Sequence, residues 1–178
     1  NILFGLKMEV PLLIDFGLSL PMKDVRVSNR SQYFYTYVPE YVVWPPEVHL
    51  ICYMIHIDKG ALTKEGLESV CNRVTKAQPF LKDESERASY LKLCMHAYSS
   101  LIGQGIDAAF SKLEVYWSTW DNYALGILFA KYLNKAVTAE GTNNVLLRGI
   151  GGLFEETIHP DPVKRPSLAE TNKRFQSI

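Results

Sequence analysis

Apolar positions along the chain follow two regimes. Over residues 1–16 they form two short clusters, Ile2-Leu3-Phe4 and Val10 to Ile14, parted by Gly5-Leu6-Lys7-Met8-Glu9. That composition predicts strand, turn and strand, a short N-terminal β-hairpin. From Glu47 onward the spacing becomes helical. A short apolar helix spans Val48 to Ile57 and stops near Lys59-Gly60. Thr63 opens a second helix with Leu67, Val70 and Val74 on one face, broken at Pro79. Asp83-Glu84-Ser85-Glu86 places acids at the start of a third, where the helix dipole favours them. It carries Leu91, Cys94, Met95 and Tyr98 and ends near Gly103-Gln104-Gly105. Another helix runs from about Ile106 to Tyr116, and Ser118-Thr119 offer N-caps for an apolar helix from Trp120 to Leu133. Leu146, Leu147 and Ile150 predict a helix before Gly151-Gly152, and Leu153 to Thr157 a short separate one. Ser167 caps the last. The fold class is therefore mainly α.

Residues 17–47 lie between the regimes. They hold Pro21, Pro39, Pro45 and Pro46 and the polar stretch Ser28-Asn29-Arg30-Ser31-Gln32, which predicts a long irregular segment. Its aromatic cluster Tyr33-Phe34-Tyr35-Thr36-Tyr37 calls for burial and argues against disorder.

Composition narrows the function classes. The 178 residues suffice for one domain with a real core, and apolar residues make up 47%. Nineteen basic residues balance nineteen acidic ones, which removes the bulk electrostatic case for a nucleic-acid or acidic-membrane partner. No apolar run is long enough to span a bilayer, and the N-terminal residues lack the marks of a signal peptide. Cys52, Cys71 and Cys94 are odd in number and widely spaced, so they read as reduced thiols of a soluble intracellular protein, cytoplasmic or nuclear.

The candidate chemistry lies at Asp15-Phe16-Gly17, at the end of the second apolar cluster. A strand end fixes a carboxylate and the glycine lets the backbone turn, an arrangement suited to magnesium–phosphate chemistry. Asn1-Ile2-Leu3 stands fourteen positions earlier. Pro45-Pro46-Glu47 follows, then Asp121-Asn122-Tyr123-Ala124-Leu125-Gly126 and Asp161-Pro162-Val163-Lys164-Arg165-Pro166-Ser167. In this order the strings resemble the protein kinase superfamily: the catalytic-loop asparagine, the Asp-Phe-Gly element, the Ala-Pro-Glu element, the start of the central helix and the Asp-Pro-x-x-Arg-Pro-Ser turn. The last is the most specific. The Trp44-Pro45-Pro46-Glu47-Val48-His49 string, followed by a long insertion, also resembles divergent kinases of large DNA viruses.

The resemblance implies roles residue by residue. Asn1 and Asp15 would hold Mg2+ against the phosphates of ATP, and Leu3 would pack under the adenine ring, with Leu128 and Tyr132 supporting that position. Phe16 would pack beneath the helix that carries the family's conserved glutamate, and Gly17 completes the element. Glu47 and Arg165 would form a buried ion pair, and Asp121 would orient the loop that ends in Asn1. The implied fold is a kinase-like C-terminal lobe over residues 1–178, with residues 58–117 as a helical insertion between the Pro-Glu element and the central helix. Glu40 stands where the family has a substrate-site threonine; a shifted register would instead use Pro39-Glu40 as the Pro-Glu element, and the helix after Val48 favours Glu47. The glycine-rich loop, the ATP-contacting lysine, its glutamate partner and the catalytic aspartate would lie upstream of Asn1.

The implied function is the C-terminal part of a Ser/Thr-type protein kinase that transfers the ATP γ-phosphoryl to a protein substrate, inactive without the N-terminal lobe of the same parent chain. The alternative is a pseudokinase or scaffold that binds a partner through the helical insertion. Other groups carry plainer readings. His49, Cys52 and His56 share one helical face at metal-ligand spacing but lack a fourth ligand, and half-buried core positions are the favoured reading over a metal site. Ser19, Ser28, Ser31, Tyr33 and Thr36 are candidate phosphate acceptors that also suit turns and packing. Tyr98, Phe110, Tyr116 and Trp117 read as core.

Overall fold

The structure, a computed structural model, describes residues 2–4, 11–13, 19–140 and 145–178, with side chains for residues 19–132 and 148–178. Two compact units divide the chain, residues 1–33 and residues 34–178. In the first, strands β1 (Ile2–Phe4) and β2 (Pro11–Leu13) pair antiparallel, Ile2 opposite Leu13 and Phe4 opposite Pro11. The residues that would join them as a hairpin lie outside those described. One helical turn, α1 (Arg30–Tyr33), interrupts the segment expected to be irregular. The Asn29 side chain secures the approach to it, accepting from the Arg26 N–H and donating to the Asp24 carbonyl.

The second unit is helical: α2 (Pro46–His56), α3 (Lys64–Ala77), α4 (Glu84–Tyr98), α5 (Ile106–Leu113), α6 (Trp120–Glu140), α7 (Val145–Thr157) and α8 (Leu168–Phe175). Residues 58–117, the expected helical insertion, lie within the second unit. They supply α3, α4 and α5 to the body formed by residues 34–178. The chain is mainly α, as its periodicity requires. Among the described residues no helix is long and apolar enough to cross a membrane.

Side-chain caps set three of the helix starts. Thr63 Oγ1 accepts from the Gly66 N–H to open α3. At α4 the cap is reciprocal: Asp83 accepts from the Glu86 N–H, and the Glu86 carboxylate reaches back to the Lys82 N–H. Ser167 accepts from the Glu170 N–H at the head of α8. Helix α3 ends under Arg87, whose guanidinium donates to the Thr75, Lys76 and Leu81 carbonyls. Gly103, at φ 81, turns the chain out of α4 so that residues 103–105 lie against residues 61–62.

Three expectations require correction. Ser118 and Thr119 do not cap α6. A 3₁₀ turn over Glu114–Thr119 runs straight into it, and the Thr119 hydroxyl donates back to the Tyr116 carbonyl. Helix α7 is one element through Gly149, Gly151 and Gly152. Each glycine costs a helix about 1 kcal/mol, and burial of Leu153 and Phe154 offsets that, with Phe154 stacked on Phe129 of α6 at 4.2 Å. Trp117 is not core: it is exposed, whereas Tyr98 and Phe110 are fully buried.

Helix α2 is the centre of the core. Leu50, Ile51, Cys52 and Met54 are all buried, along with Leu67, Val70, Cys71 and Val74 of α3 and Cys94 of α4. Phe34 wedges edge-on between Phe110 and Trp120. Helices α6 and α7 meet closely at Gly126, where a Cβ would lie 2.2 Å from Thr157 Oγ1 and 2.6 Å from Ile158 Cγ2.

Candidate functional site

Pro45 and Pro46 start α2. Pro46 occupies the first helical turn, where a missing N–H is no loss, and Glu47 follows it at the end that favours a negative charge. The Glu47 side chain is entirely buried, so its charge requires a partner. Arg165 supplies it from 118 positions away: Nη1 donates to Oε1 at 2.8 Å and Nη2 to Oε2 at 3.0 Å. This is the contact that the sequence resemblance implies. The rigid turn at residues 159–165 holds the arginine in place. Asp161 caps that turn by accepting from the Val163 N–H, and Arg165 Nε donates to the His159 carbonyl.

The remaining capacity of the pair is also filled. Arg165 Nη2 donates to the Pro160 carbonyl at 3.2 Å, and Nη1 lies 3.4 Å from Thr119 Oγ1. The Tyr123 ring packs under the guanidinium, its centroid 4.8 Å from Cζ. The Tyr98 hydroxyl lies 2.9 Å from Glu47 Oε2 and 2.7 Å from the Pro160 carbonyl, so its one proton serves two acceptors. Burial alone would lower the Arg165 pKa, but the Glu47 carboxylate and the phenolic oxygens hold it above its ordinary value. Burial, then Glu47, pushes Tyr98 well up. Both groups keep their protons across the physiological range.

Helix α4 reaches the same centre a second time. Tyr90 and Tyr123 share a hydroxyl contact at 3.2 Å, and the Gln78 amide at the end of α3 donates to the Tyr123 hydroxyl at 3.1 Å. Asn122 ties the start of α6 to α8, donating to the Pro166 carbonyl and to Thr171 Oγ1. Sequence reasoning missed Asn122, Thr119 and the polar role of Tyr98. The one available signal was a set of polar groups at otherwise apolar helical positions.

The other site residues fall elsewhere. Asn1, Asp15, Phe16 and Gly17 lie outside the described residues, and so does the side chain of Leu3. Asp121 is exposed in the first turn of α6, and the loop it would orient is not among the described residues. Leu128 and Tyr132 are exposed on α6, at 36% and 63%. Glu40 is exposed and paired with Arg73 at 2.7 Å.

His49, Cys52 and His56 do not converge as a metal site. Among the described residues no group of three His, Cys, Asp or Glu could hold an ion. His56 Nε2 contacts the Phe34 carbonyl at 2.7 Å. Burial pushes Cys52 up to about 12. His49 is fully buried, and neither ring nitrogen has a hydrogen-bond partner among the described residues. Burial drives its pKa down to about 4 against the opposing pull of the Trp44 and Tyr41 backbone. All three cysteines are free and buried. Contact with Cys71, then burial, raises the Cys94 thiol, which leaves it unreactive.

No protein-family model, no curated protein and no solved structure matches the chain.

Proposed function

We propose that the chain is the C-terminal lobe of a Ser/Thr-type protein kinase, whose parent transfers the ATP γ-phosphoryl to a protein hydroxyl. The observation that carries this reading is the bidentate, fully buried Glu47–Arg165 pair. It joins the Pro-Pro-Glu string to the Asp-Pro-x-x-Arg-Pro-Ser string, two of the strings on which the resemblance rests.

In this reading Asn1 and Asp15 present the oxygen donors that Mg2+ takes. The metal, when bound, offsets the charge of the ATP phosphates. Leu3, backed by Leu128 and Tyr132, would line the adenine position. Phe16 and Gly17 would let the chain turn away from Asp15, and Asp121 would orient the loop that carries Asn1. The remainder of this lobe would hold the peptide-facing segment between Phe34 and Glu47. The catalytic base and the ATP-contacting lysine would come from residues upstream in the same parent chain.

The test compares residues 1–178 with the full-length protein, measuring ATP turnover and magnesium-dependent nucleotide binding. The full-length protein should turn over ATP, lose that activity in Asp15→Asn, and greatly exceed the fragment. Equal turnover by fragment and full-length protein overturns the reading, as does full-length turnover that Asp15→Asn leaves intact. A full-length protein that binds nucleotide without turnover supports the scaffold alternative.

A further inference from the structure

Two donors bridge the same two oxygens in the core. Arg165 Nη2 donates to Glu47 Oε2 and to the Pro160 carbonyl, and the Tyr98 hydroxyl sits against that same pair. Glu47 Oε2 carries formal negative charge and the Pro160 carbonyl partial negative charge, and each lies within hydrogen-bond distance of both donors. Arg165 supplies the compensating charge. Tyr98 supplies the second bridge, from a helix that neither sequence string contains.

A phenylalanine would fill almost the same volume at position 98. The hydroxyl adds a polar atom to a fully buried side chain, a cost that only good acceptors offset. One of its two short contacts reaches the Glu47 carboxylate in the first turn of α2, and the other the Pro160 carbonyl beside Arg165. The segment just before α2, residues 34–45, runs into the helix two positions ahead of Glu47. It is held by ring contacts, among them Tyr37 on Tyr53 and Tyr41 on Trp44, and by the exposed Arg73–Glu40 pair.

We infer that Tyr98 is a positioning residue, through which residues 58–117 hold Glu47 in the orientation that receives Arg165 and thereby set the geometry of the segment leading into α2. The inference rests on the kinase reading, in which that segment faces the protein substrate. Residues 58–117 are then a buttress of the acceptor side of the site rather than an appendage.

The experiment uses the full-length protein with casein as acceptor, below the melting transition of every variant. Tyr98→Phe removes the hydroxyl alone. It should lower kcat/KM for casein roughly tenfold, the scale of a lost charge-assisted hydrogen bond, and leave the KM for ATP unchanged. In a Glu47→Gln background the same substitution should have a clearly smaller effect, because the charged acceptor is gone and only the neutral amide and the Pro160 carbonyl remain. Val74→Ala, a buried α3 truncation, controls for stability and should leave kcat/KM for casein unchanged.

The outcomes separate cleanly. Wild-type turnover that Tyr98→Phe does not alter overturns this inference and leaves the kinase reading standing. An equal loss in Val74→Ala also overturns it, since stability alone would then account for the effect. A wild-type protein that neither phosphorylates casein nor turns over ATP overturns the kinase reading and this assignment with it.

Discussion

Two arginine–glutamate pairs in residues 34–178 share a bidentate geometry and differ in their surroundings. Arg165 meets Glu47 at 2.8 and 3.0 Å with neither side chain exposed. Arg174 meets Glu156 at 2.7 Å twice, with the side chains 37% and 50% exposed. The distances would rank the second pair as the stronger. Burial reverses the ranking of consequences, because a stranded charge at the first site has no water to turn to. The second pair breaks into solvent, and salt screens it. The first also has Tyr98, Thr119, the His159 and Pro160 carbonyls and the Tyr123 ring around it, whereas the second stands between α7 and α8 at the surface.

The largest effect should come from Glu47→Gln. It leaves the buried Arg165 cation uncompensated and should cost about 3–5 kcal/mol, measured by urea denaturation. A loss below about 1 kcal/mol would place that pair with the surface one.

His49 extends the comparison from paired to unpaired buried groups. Its folded pKa of about 4 lies below the ordinary 6.5. The unfolded chain therefore binds a proton that the folded chain refuses between those values. Stability is complete above pH 6.5 and falls as pH drops toward 4, by about 3 kcal/mol in all. Denaturation midpoints across that window should show the slope in the wild type, and His49→Gln should flatten it.

Gly126→Ala probes apolar closeness without charge. The new methyl group would meet Thr157 and Ile158 inside contact distance, and overpacking of this kind costs about 1–3 kcal/mol. Thermal melting should show the drop, and an unchanged midpoint would mean that α6 and α7 separate freely.

Glu156→Gln should have the smallest effect, below about 1 kcal/mol and vanishing at high salt. A loss that survives high salt would show that exposure does not govern the difference between the two pairs.

Residues that act on their near neighbours are legible in the order of the chain. Thr63, Asp83 and Ser167 each accept from an N–H three positions ahead, so their helix starts can be read from residue order. The glycines of α7 and the Ser118-Thr119 pair misled the same logic, since packing against α6 and a continuous helical path outweighed local preference. The Glu47–Arg165 contact was legible only through two strings and a resemblance. Asp15 and Asn1, on which the proposed chemistry depends, lie outside the described residues.

Residue order and composition alone therefore determined the helical character of the chain, most of its helix starts and its zero formal net charge. Those properties arise from interactions across three or four positions and from summed charge. Tertiary structure alone decided that Tyr98 reaches Glu47 across 51 positions, that Asn122 reaches Thr171 across 49, and that His49 is fully buried beside the Trp44 ring. Such contacts depend on how helices pack, and a hydroxyl or imidazole at an apolar helical position does not announce which distant group it will face.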